Sequence, residues 1–481
     1  MKVQWVSSIC TGKFFMFVLL LTLLFIDNGS CSGDIVKTLP GFQGPLPFKL
    51  ETGYIGVEYT ELFYYFFEST GKPQIDPLIL YLIGGPGCSA LNGVFYQSGP
   101  LAFNETDYSG GLPQLILRGH TWTKSASIIY PDVPVGTGYS YATTQQSYLL
   151  SDTITVRHIM KFLRKWLIEH PKFITNRFYI ATDSYSGVFA PILAQQILDD
   201  NAAGILPNIE LIGYISGSPH CDVAKQVNAK VPLAHNLALI SDKLYETAKE
   251  NCNGWYYDVD ISDAKCMESL EPIHECLTDI YESNVIEPDC AVISPKPGDN
   301  ELARRALMEA QQGQRFLPKS LRQKSSDQWH CKIFAYLLSY IWANDKSVQD
   351  ALHVREGTFD RWTRCNLSLI EEYIGDVENA VPYHKNLTTT GLQILLYTGD
   401  HDLVVPHIAT EDWVSSLNIT VDDSWAPWFV EAQVAGYKVI YSNTGYRLTY
   451  ATLKGAGHSP TEYQNERCFQ MFERWIHFYP L

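Results

Sequence analysis

The sequence predicts an α/β protein with a mostly parallel central sheet, flanking helices and an inserted helical cap. Two observations support this fold class. Short runs of branched apolar residues alternate with amphipathic stretches of helical period, which is typical of a parallel sheet. A long segment in the middle of the chain, about 219–330, then breaks this alternation, which indicates an insertion. With 481 residues, 46% of them hydrophobic, the chain can bury one large core or two medium ones.

The strands give the clearest signal. Runs of branched and aromatic residues predict buried strands at 78–83, 127–130, 178–181, 209–216 and 392–397. Alternating residues and a turn at 443–445 predict antiparallel strands within 56–67, 438–442 and 446–453. Apolar residues at helical spacing predict helices at 153–170, 187–198 and about 465–478.

The first segment predicts a signal peptide over residues 1–32. Lys2 and Lys13 precede an apolar run, 14–26, and small residues follow it at 29–32. The run is too short to span a bilayer comfortably, so cleavage is favoured over a retained anchor. We therefore expect a protein of the secretory pathway, with the vacuole favoured over the extracellular space and no membrane association once the leader is removed.

Behind the leader, the pattern predicts two core parts separated by an insertion. Residues 33–218 and 331–481 carry the predicted sheet, and 219–290 are interpreted as the cap. Residues 291–330 have seven Lys and Arg against four Asp and Glu, a local net charge of +3, which is typical of a solvated linker. The formal charge of −16 argues against nucleic acid as a partner, because no contiguous basic surface remains to contact phosphates.

Cysteines and sequons agree with the secretory route. Cys10 and Cys31 leave with the leader, and the other nine of eleven predict disulfides plus at least one free thiol in an oxidising lumen. Asn-x-Ser/Thr triplets predict glycosylation at Asn104, Asn366, Asn386 and Asn418.

The sharpest chemical signal lies at 178–187, where a predicted strand ends at Ser184 and small residues precede a helix. A nucleophile elbow has this form because its serine lies on a strained strand-to-helix turn, which excludes bulky side chains two positions away on either side. Ser186 is small, but Thr182 stands where glycine is usual. An ordinary serine at a helix N-terminus is the alternative interpretation.

A glycine-rich turn, 84–89, directly follows the strand 78–83. Such turns free backbone N–H groups. The N–H of Gly85 and that of Tyr185, the residue after the serine, therefore predict an oxyanion hole for a tetrahedral intermediate. The alternative, a phosphate-binding loop, lacks both the Lys-Ser/Thr ending of a P-loop and the G-x-G-x-x-G spacing.

Acids and a histidine follow further along the chain. Asp400 and Asp402 lie just past the strand 392–397, and His458 lies in a glycine-flanked loop near the C-terminus. The order Ser, Asp, His is that of α/β-hydrolases, in which histidine takes the hydroxyl proton and the acid fixes its tautomer. Taken one at a time, each residue has another interpretation: the acids could be turn or helix-cap residues, and the histidine could be a surface or core residue. Three such elements in one order, each after a strand, predict a catalytic triad.

Five segments together resemble the serine carboxypeptidase-like family over nearly all of the mature chain. They are GGPGCS at 84–89, PVGTGYSYA at 134–142, DSYSG at 183–187, GDHDLVVP at 399–406 and KGAGH at 454–458. Further segments are similar to the plant acyltransferase branch, namely LISDKLYE at 239–246, SYIWAN at 339–344 and ALHV at 351–354. The resemblance implies the α/β-hydrolase fold, with Ser184 as nucleophile and His458 as base. It also implies Asp402, in preference to Asp400, as the third member.

The resemblance further implies three disulfides, Cys88–Cys365, Cys252–Cys266 and Cys290–Cys331. It leaves Cys221, Cys276 and Cys468 unassigned. The third pair brackets the linker 291–330, which is excised in several similar acyltransferases. A monomer or, after such excision, a disulfide-linked two-chain form is expected.

Peptidase members of this family hold a peptide's C-terminal carboxylate with an Asn before the double glycine and a hydrogen-bonded pair of acids. Here Ile83 takes the place of the Asn, Gln97 replaces one acid, and the other acid is Asp183. These three residues and Gly84 are the implied substrate-binding residues. A peptide carboxylate should bind weakly, since bringing a charge into a pocket without partners is expensive.

The expected function is therefore acyl transfer. Ser184 takes an acyl group from a small-molecule 1-O-acyl-glucose ester, and an alcohol or amine of plant specialised metabolism resolves the acyl-enzyme. No cofactor and no metal are expected, because the ester supplies its own leaving group and zinc-ligand spacing does not occur. The alternatives are a carboxypeptidase or esterase with the same triad, and a non-catalytic binding descendant, which Thr182 favours.

Overall fold

One large sheet runs through the described part of the protein, residues 33–106, 108, 110–288 and 332–481 of a computed structural model. The strands, in chain order, are β1 (Asp34–Val36), β2 (Leu50–Val57), β3 (Thr60–Phe67), β4 (Leu78–Leu82), β5 (Leu101–Phe103), β6 (Leu115–Leu117), β7 (Ser127–Pro131), β8 (Tyr141–Ala142), β9 (Phe178–Asp183), β10 (Leu211–Gly217), β11 (Gln393–Gly399), β12 (Thr420–Val430), β13 (Gln433–Asn443) and β14 (Tyr446–Leu453). The sheet order is β1-β2-β3-β7-β4-β9-β10-β11-β14-β13-β12. β8 lies beside β3, and β5 pairs with β6 separately.

The middle of the sheet is parallel and its two margins are antiparallel. The parallel part is β7-β4-β9-β10-β11-β14, and β1 to β3 and β13 with β12 complete the margins. The predicted α/β-hydrolase fold class is confirmed, with a sheet that is more mixed than predicted. The sequence does not predict β12, because its run TVDDSWAPWFV is acidic and mostly exposed, as suits an edge strand.

Helices follow most strands. They are α1 (Leu91–Tyr96), α2 (Asp152–Glu169), α3 (Phe189–Ala202), α4 (Val223–Asn236), α5 (Asp242–Asn251), α6 (Ala264–Leu277), α7 (Lys332–Ala343), α8 (Lys346–Ala351), α9 (Leu367–Glu372), α10 (Val381–Leu387), α11 (His407–Ser415), α12 (Pro460–Tyr463) and α13 (Asn465–Ile476). In the described ranges, none of them is long and apolar enough to cross a membrane.

Two hydrophobic clusters lie on opposite faces of the sheet. In β4, Ile79 and Tyr81 join one cluster, whereas Leu78, Leu80 and Leu82 join the other. Because successive side chains of a strand point to opposite faces, this assignment shows that both faces are covered. It also explains why β4 is apolar at every position, as is typical of buried parallel strands.

The segment interpreted as the cap is helical and has a small core of its own. Helices α5 and α6 pack together around residues such as Ala248 and Ile273, and the disulfide Cys252–Cys266 joins the end of α5 to α6. The linker 291–330 and the predicted Cys290–Cys331 pair lie outside the described residues.

The disulfide Cys88–Cys365 is also present, so two of the three predicted pairs are confirmed. Cys365 precedes α9 and Cys88 lies in the glycine-rich turn after β4. The bond therefore ties two segments that are 277 residues apart in the chain. Cys221 and Cys468 are buried free thiols, and Cys276 is an exposed one.

The structure argues against one of the four predicted glycosylation positions. The side chain of Asn366 is half-buried and caps α9: its Nδ2 donates to the Gly136 carbonyl at 2.9 Å and its Oδ1 accepts the Leu369 N–H at 3.2 Å. A glycan on Nδ2 would occupy this packed position. Asn386 and Asn418 are exposed, and Asn104 is half-buried.

We therefore expect glycans on Asn386 and Asn418 and an unmodified Asn366. The measurement is peptide mapping by mass spectrometry after enzymatic deglycosylation in heavy-oxygen water, which marks each former glycan site. Asn104 is half-buried, and its modification is expected to lie between that of the exposed sites and that of Asn366. A heavy-oxygen mark on Asn366 would contradict the described packing of that side chain.

Candidate active site

Ser184 lies at the end of β9 with a backbone φ of 59°, in the left-handed region that non-glycine residues rarely adopt. A 3₁₀ turn, Ser184–Val188, leads from it into α3. The strained turn raises the hydroxyl beyond the carboxyl end of the parallel strands, where ligands bind in open α/β sheets. The predicted elbow is therefore present in its full backbone form.

Thr182 fits the elbow because its neighbour in the sheet is small. It pairs with Ser216 of β10, and the two side-chain hydroxyl oxygens lie 2.6 Å apart. On the other side of the nucleophile, the Ser186 hydroxyl donates to the carbonyl of Ile83 at 2.6 Å. The threonine thus satisfies its buried hydroxyl locally and leaves Ser184 in place.

The three side chains of the predicted triad meet in line. His458 Nε2 lies 2.6 Å from Ser184 Oγ, and His458 Nδ1 lies 2.9 Å from Asp402 Oδ2. Asp402 is completely buried, and its Oδ1 accepts the N–H groups of Val404 and Val405. This arrangement lets the carboxylate hold one imidazole tautomer while the other nitrogen faces the hydroxyl.

Asp400 is excluded from this line of hydrogen bonds. Its Oδ1 lies 2.6 Å from His401 Nδ1 and accepts the N–H of Gly455 at 2.7 Å. It therefore stabilises the loop beside the triad, and the choice of Asp402 over Asp400 agrees with the geometry.

The end of the cap segment fixes both loops of the triad through its backbone. The carbonyl of Ser283 accepts the N–H of His458, and the carbonyl of Glu282 accepts the N–H of Leu403, next to Asp402. The sequence gives no signal of these contacts, because backbone carbonyls in an irregular segment leave no residue pattern.

The charges around His458 raise its affinity for a proton. Burial acts to lower the pKa of His458, but the adjacent Asp402 carboxylate, through its charge and its hydrogen bond, outweighs this effect and raises the pKa above its ordinary value. Asp183 adds to the same attraction.

The predicted oxyanion hole lies directly beside the elbow. Gly84 packs so closely on it that a Cβ there would lie 2.7 Å from Ser184 Cβ and from the Tyr185 nitrogen. Within the described residues, the N–H of Gly85 makes no hydrogen bond. The N–H of Tyr185 lies in the first turn of a helix, where N–H groups lack intrahelical acceptors. Both donors are therefore available to a ligand.

The other implied substrate-binding residues surround Asp183, which precedes the nucleophile. Its Oδ2 accepts the Gln97 amide at 3.0 Å and the Ser459 hydroxyl at 2.6 Å. Its Oδ1 is buried and has no partner among the described residues. Burial raises the pKa of Asp183 to about 6, against the opposing effect of the His458 charge. Ile83 places its side chain in a core cluster, 6% exposed, and offers no donor.

His220 is a neighbour of the site that the sequence does not reveal. Its ring stacks on Tyr185, with ring centroids 5.0 Å apart, and Tyr373 meets Tyr185 edge-on at 5.8 Å. The Tyr185 hydroxyl donates to Asp152 at 3.0 Å. Burial, followed by the His458 charge, lowers the pKa of His220 to about 4, so it is neutral. One feature of the sequence points to this place: His220 comes just after β10, at the carboxyl end of the sheet.

Known proteins are similar in sequence to almost the whole chain. A profile described as serine carboxypeptidase matches residues 40–478. Serine carboxypeptidase-like 12 of Arabidopsis thaliana is 42% identical over 462 residues, covering 95% of this chain and 98% of that protein. Serine carboxypeptidase-like 11 of the same plant is 43% identical over 469 residues, covering 96% and 99%.

A solved structure has the same fold at low sequence identity. The prohormone-processing carboxypeptidase KEX1(delta)p of Saccharomyces cerevisiae is 18% identical, with a TM-score of 0.66 over 90% of this chain and 91% of that one. The family profile covers the elbow, the acid loop and the histidine loop together. The chain belongs to the serine carboxypeptidase family.

Proposed function

We propose that the protein is a serine acyltransferase that moves an acyl group from a 1-O-acyl-glucose ester to an alcohol or amine acceptor of plant specialised metabolism. Support comes from the triad, from the similarity of segments such as 239–246 to the plant acyltransferase branch, and from the altered carboxylate-binding position. A soluble monomer, or a two-chain form without 291–330, in the secretory pathway and ultimately the vacuole completes the proposal.

The reaction begins with proton transfer. His458 Nε2 takes the proton of Ser184 Oγ as the oxygen attacks the ester carbonyl, and the N–H groups of Gly85 and Tyr185 stabilise the oxyanion. The tetrahedral intermediate collapses: the C–O bond to glucose breaks, and His458 returns the proton to the sugar oxygen. An acyl-enzyme on Ser184 remains.

The second half repeats these steps with the acceptor. His458 removes a proton from the acceptor hydroxyl or amine, which attacks the acyl-enzyme. The intermediate collapses, and Ser184 leaves with the proton from His458. Asp402 keeps the imidazole in one tautomer throughout. Ping-pong kinetics follow, because glucose departs before the acceptor reacts.

The single observation that carries the choice of transfer over peptide cleavage is the environment of Asp183. Its Oδ2 accepts the Ser459 hydroxyl and the amide of Gln97, which stands where peptidase members carry a second acid, and Ile83 supplies no amide donor. Asp183 Oδ1 is buried and has no partner among the described residues, so it can accept a hydrogen bond from a hydroxyl group of a sugar or a polyol, whereas its charge disfavours a peptide carboxylate beside it. This favours a neutral, hydroxylated substrate.

A carboxypeptidase or esterase is the second candidate. The family description and the printed names of the relatives favour it, and water resolves the same acyl-enzyme by the same triad. A non-catalytic binding descendant has lost its main support, since Thr182 packs against Ser216 without displacing the nucleophile.

The test offers the purified glycoprotein a panel of 1-O-acyl-glucose esters with mixed alcohol and amine acceptors, and reads products by mass. We expect at least one transfer product that is absent with the Ser184→Ala variant. An enzyme that yields no transfer product from any ester, but releases C-terminal residues from blocked peptides, would overturn the proposal in favour of the hydrolase.

Gln97→Glu is expected to raise carboxypeptidase activity by about tenfold. A second carboxyl group beside Asp183 raises the pKa of the pair, so that in mildly acidic solution both carboxyls are protonated. One O–H then bonds the neighbouring carboxyl and the other is left to donate to a peptide carboxylate, and a hydrogen bond to a charged group is worth about 1.5–3 kcal/mol. The measurement is kcat/KM on a blocked dipeptide. Gln196→Glu, on the exposed face of α3, is the matched control. It loses the hydrogen bond to Asp200 at 2.7 Å but lies outside the site, and should leave peptide cleavage unchanged. Unchanged peptide cleavage in Gln97→Glu would show that Gln97 does not set this selectivity.

A further inference from the structure

The segment 134–142 stands out in the sequence, but the reaction described above uses none of its side chains. It follows Asp132, which lies just after β7 and is completely buried. Asp132 Oδ1 accepts the Ser89 hydroxyl and the Ala90 N–H, both at 2.8 Å. Its Oδ2 accepts the N–H of Tyr139 at 3.0 Å. One carboxylate therefore links this segment to the glycine-rich turn after β4.

The backbone around Asp132 is itself fixed. Its N–H donates to the carbonyl of Phe63 in β3 at 2.8 Å, and its carbonyl accepts the Ser140 hydroxyl at 2.6 Å. Gly138 has a φ of 55°, and a Cβ there would overlap the Asp132 carboxylate. The loop thus closes tightly around the acid, and the position of the carboxylate is set by the sheet.

The same turn carries the Gly85 donor. Ser89 is held on its other side, where its N–H donates to the Arg364 carbonyl at 2.8 Å next to the disulfide Cys88–Cys365. The N–H of Cys88 donates to the Gly84 carbonyl at 3.2 Å, which closes the turn over Gly85. A displacement of Ser89 is therefore passed to Gly85 through one short turn.

The burial of Asp132 is costly in itself. In the part of the chain that the structure describes, neutral N–H and O–H groups alone compensate its charge, and burial raises its pKa to about 6 in spite of these three hydrogen bonds. Stability alone gives little reason for an acid here, since an apolar or amide side chain avoids the cost of desolvation.

We propose that Asp132 is a positioning residue of the oxyanion hole: by holding Ser89 and Ala90 it places the N–H of Gly85 for the developing oxyanion. The inference rests on the proposed serine chemistry, but not on glucose esters as donors. On this proposal, segment 134–142 encloses the Asp132 carboxylate and holds it in place.

The test compares Asp132→Asn with Glu51→Gln. Asparagine turns an N–H₂ group toward the Tyr139 N–H, so two donors face each other and the turn shifts. Glu51 is also buried and hydrogen-bonded, to Tyr64 and His170, but lies apart from the elbow and the turn. Each variant is titrated with a fluorophosphonate to count active sites. The kcat and KM for p-nitrophenyl acetate, the Kd of phenylboronic acid and the Tm are then measured.

We expect Asp132→Asn to lower kcat per titrated site by about 10-fold to 100-fold, part of the 10²–10³ that a whole oxyanion donor is worth, with KM within about twofold. The affinity for phenylboronic acid, which forms a tetrahedral adduct, should fall by the same factor. Glu51→Gln should lower Tm only. If Asp132→Asn does not fold, Ser89→Ala provides the test, with an expected loss of a few-fold to about tenfold.

An Asp132→Asn enzyme with unchanged kcat per site and unchanged boronate affinity, differing only in Tm, would overturn the inference and leave a structural role. A wild-type protein that forms no acyl-enzyme from p-nitrophenyl acetate would overturn the proposed chemistry as well. Active hydrolysis without any transfer to acceptors would contradict the proposed function alone.

Discussion

Ser184→Ala is expected to lower acyl transfer by about 10⁶-fold and to abolish covalent labelling by a fluorophosphonate. The substitution removes the oxygen that lies 2.6 Å from His458 Nε2, so the nucleophile that forms the acyl-enzyme is lost. The measurement is the initial rate of transfer together with the stoichiometry of labelling.

Ser416→Ala is the matched control, because that serine is exposed at the end of α11 and its hydroxyl donates to the Trp413 carbonyl, away from the triad. It should keep full activity. Transfer by Ser184→Ala above about one per cent of the wild-type rate, far above the residual expected for a lost nucleophile, would contradict the assigned nucleophile.

Asp402→Asn is expected to lower kcat by about 10⁴-fold while leaving the fold intact. The carboxylate accepts the Nδ1 proton of His458; an amide in its place donates to Nδ1 instead, which moves the proton to Nε2 and leaves the base unable to take the Ser184 proton. The measurement is kcat with the best glucose ester. Asp400→Asn, which touches His401 and not His458, should cost no more than a few-fold.

Asp402→Asn should also shift the pH dependence of kcat/KM. Burial lowers the pKa of His458, but the Asp402 charge outweighs it and raises that pKa, and only the neutral imidazole acts as a base. The kcat/KM of the wild type therefore rises with pH through the raised pKa. Without the carboxylate the pKa falls, so the acidic limb of Asp402→Asn should lie at lower pH than that of the wild type. An acidic limb at the same or a higher pH would contradict the coupling.

The sequence predicts the parts of the site that depend on local geometry. A strained turn after a strand needs small residues around Ser184, and a free N–H needs a glycine turn at 84–85, so both leave a pattern in the chain. The order of Ser184, Asp402 and His458 follows from where the parallel strands end, and the structure brings these three side chains together.

The parts that the sequence does not predict depend on contacts between irregular segments. The Ser283 carbonyl that binds the N–H of His458 comes from the end of the cap segment, 175 positions earlier in the numbering, and a carbonyl is present at every residue. His220 acquires its place only when β10 lies beside β9. For the same reason Thr182 looks unfavourable in the sequence, but fits once Ser216 is opposite it.

To detect an acyl-enzyme on Ser184 that an acceptor resolves, the protein is mixed with a 1-O-acyl-glucose ester and quenched in acid, and its peptides are mapped by mass. We predict that the acyl mass appears on the peptide that contains Ser184 and disappears when an alcohol or amine acceptor is added, with the transfer product formed in equal amount. An acyl group on another residue, or none at all while transfer proceeds, would show that Ser184 does not carry the acyl group.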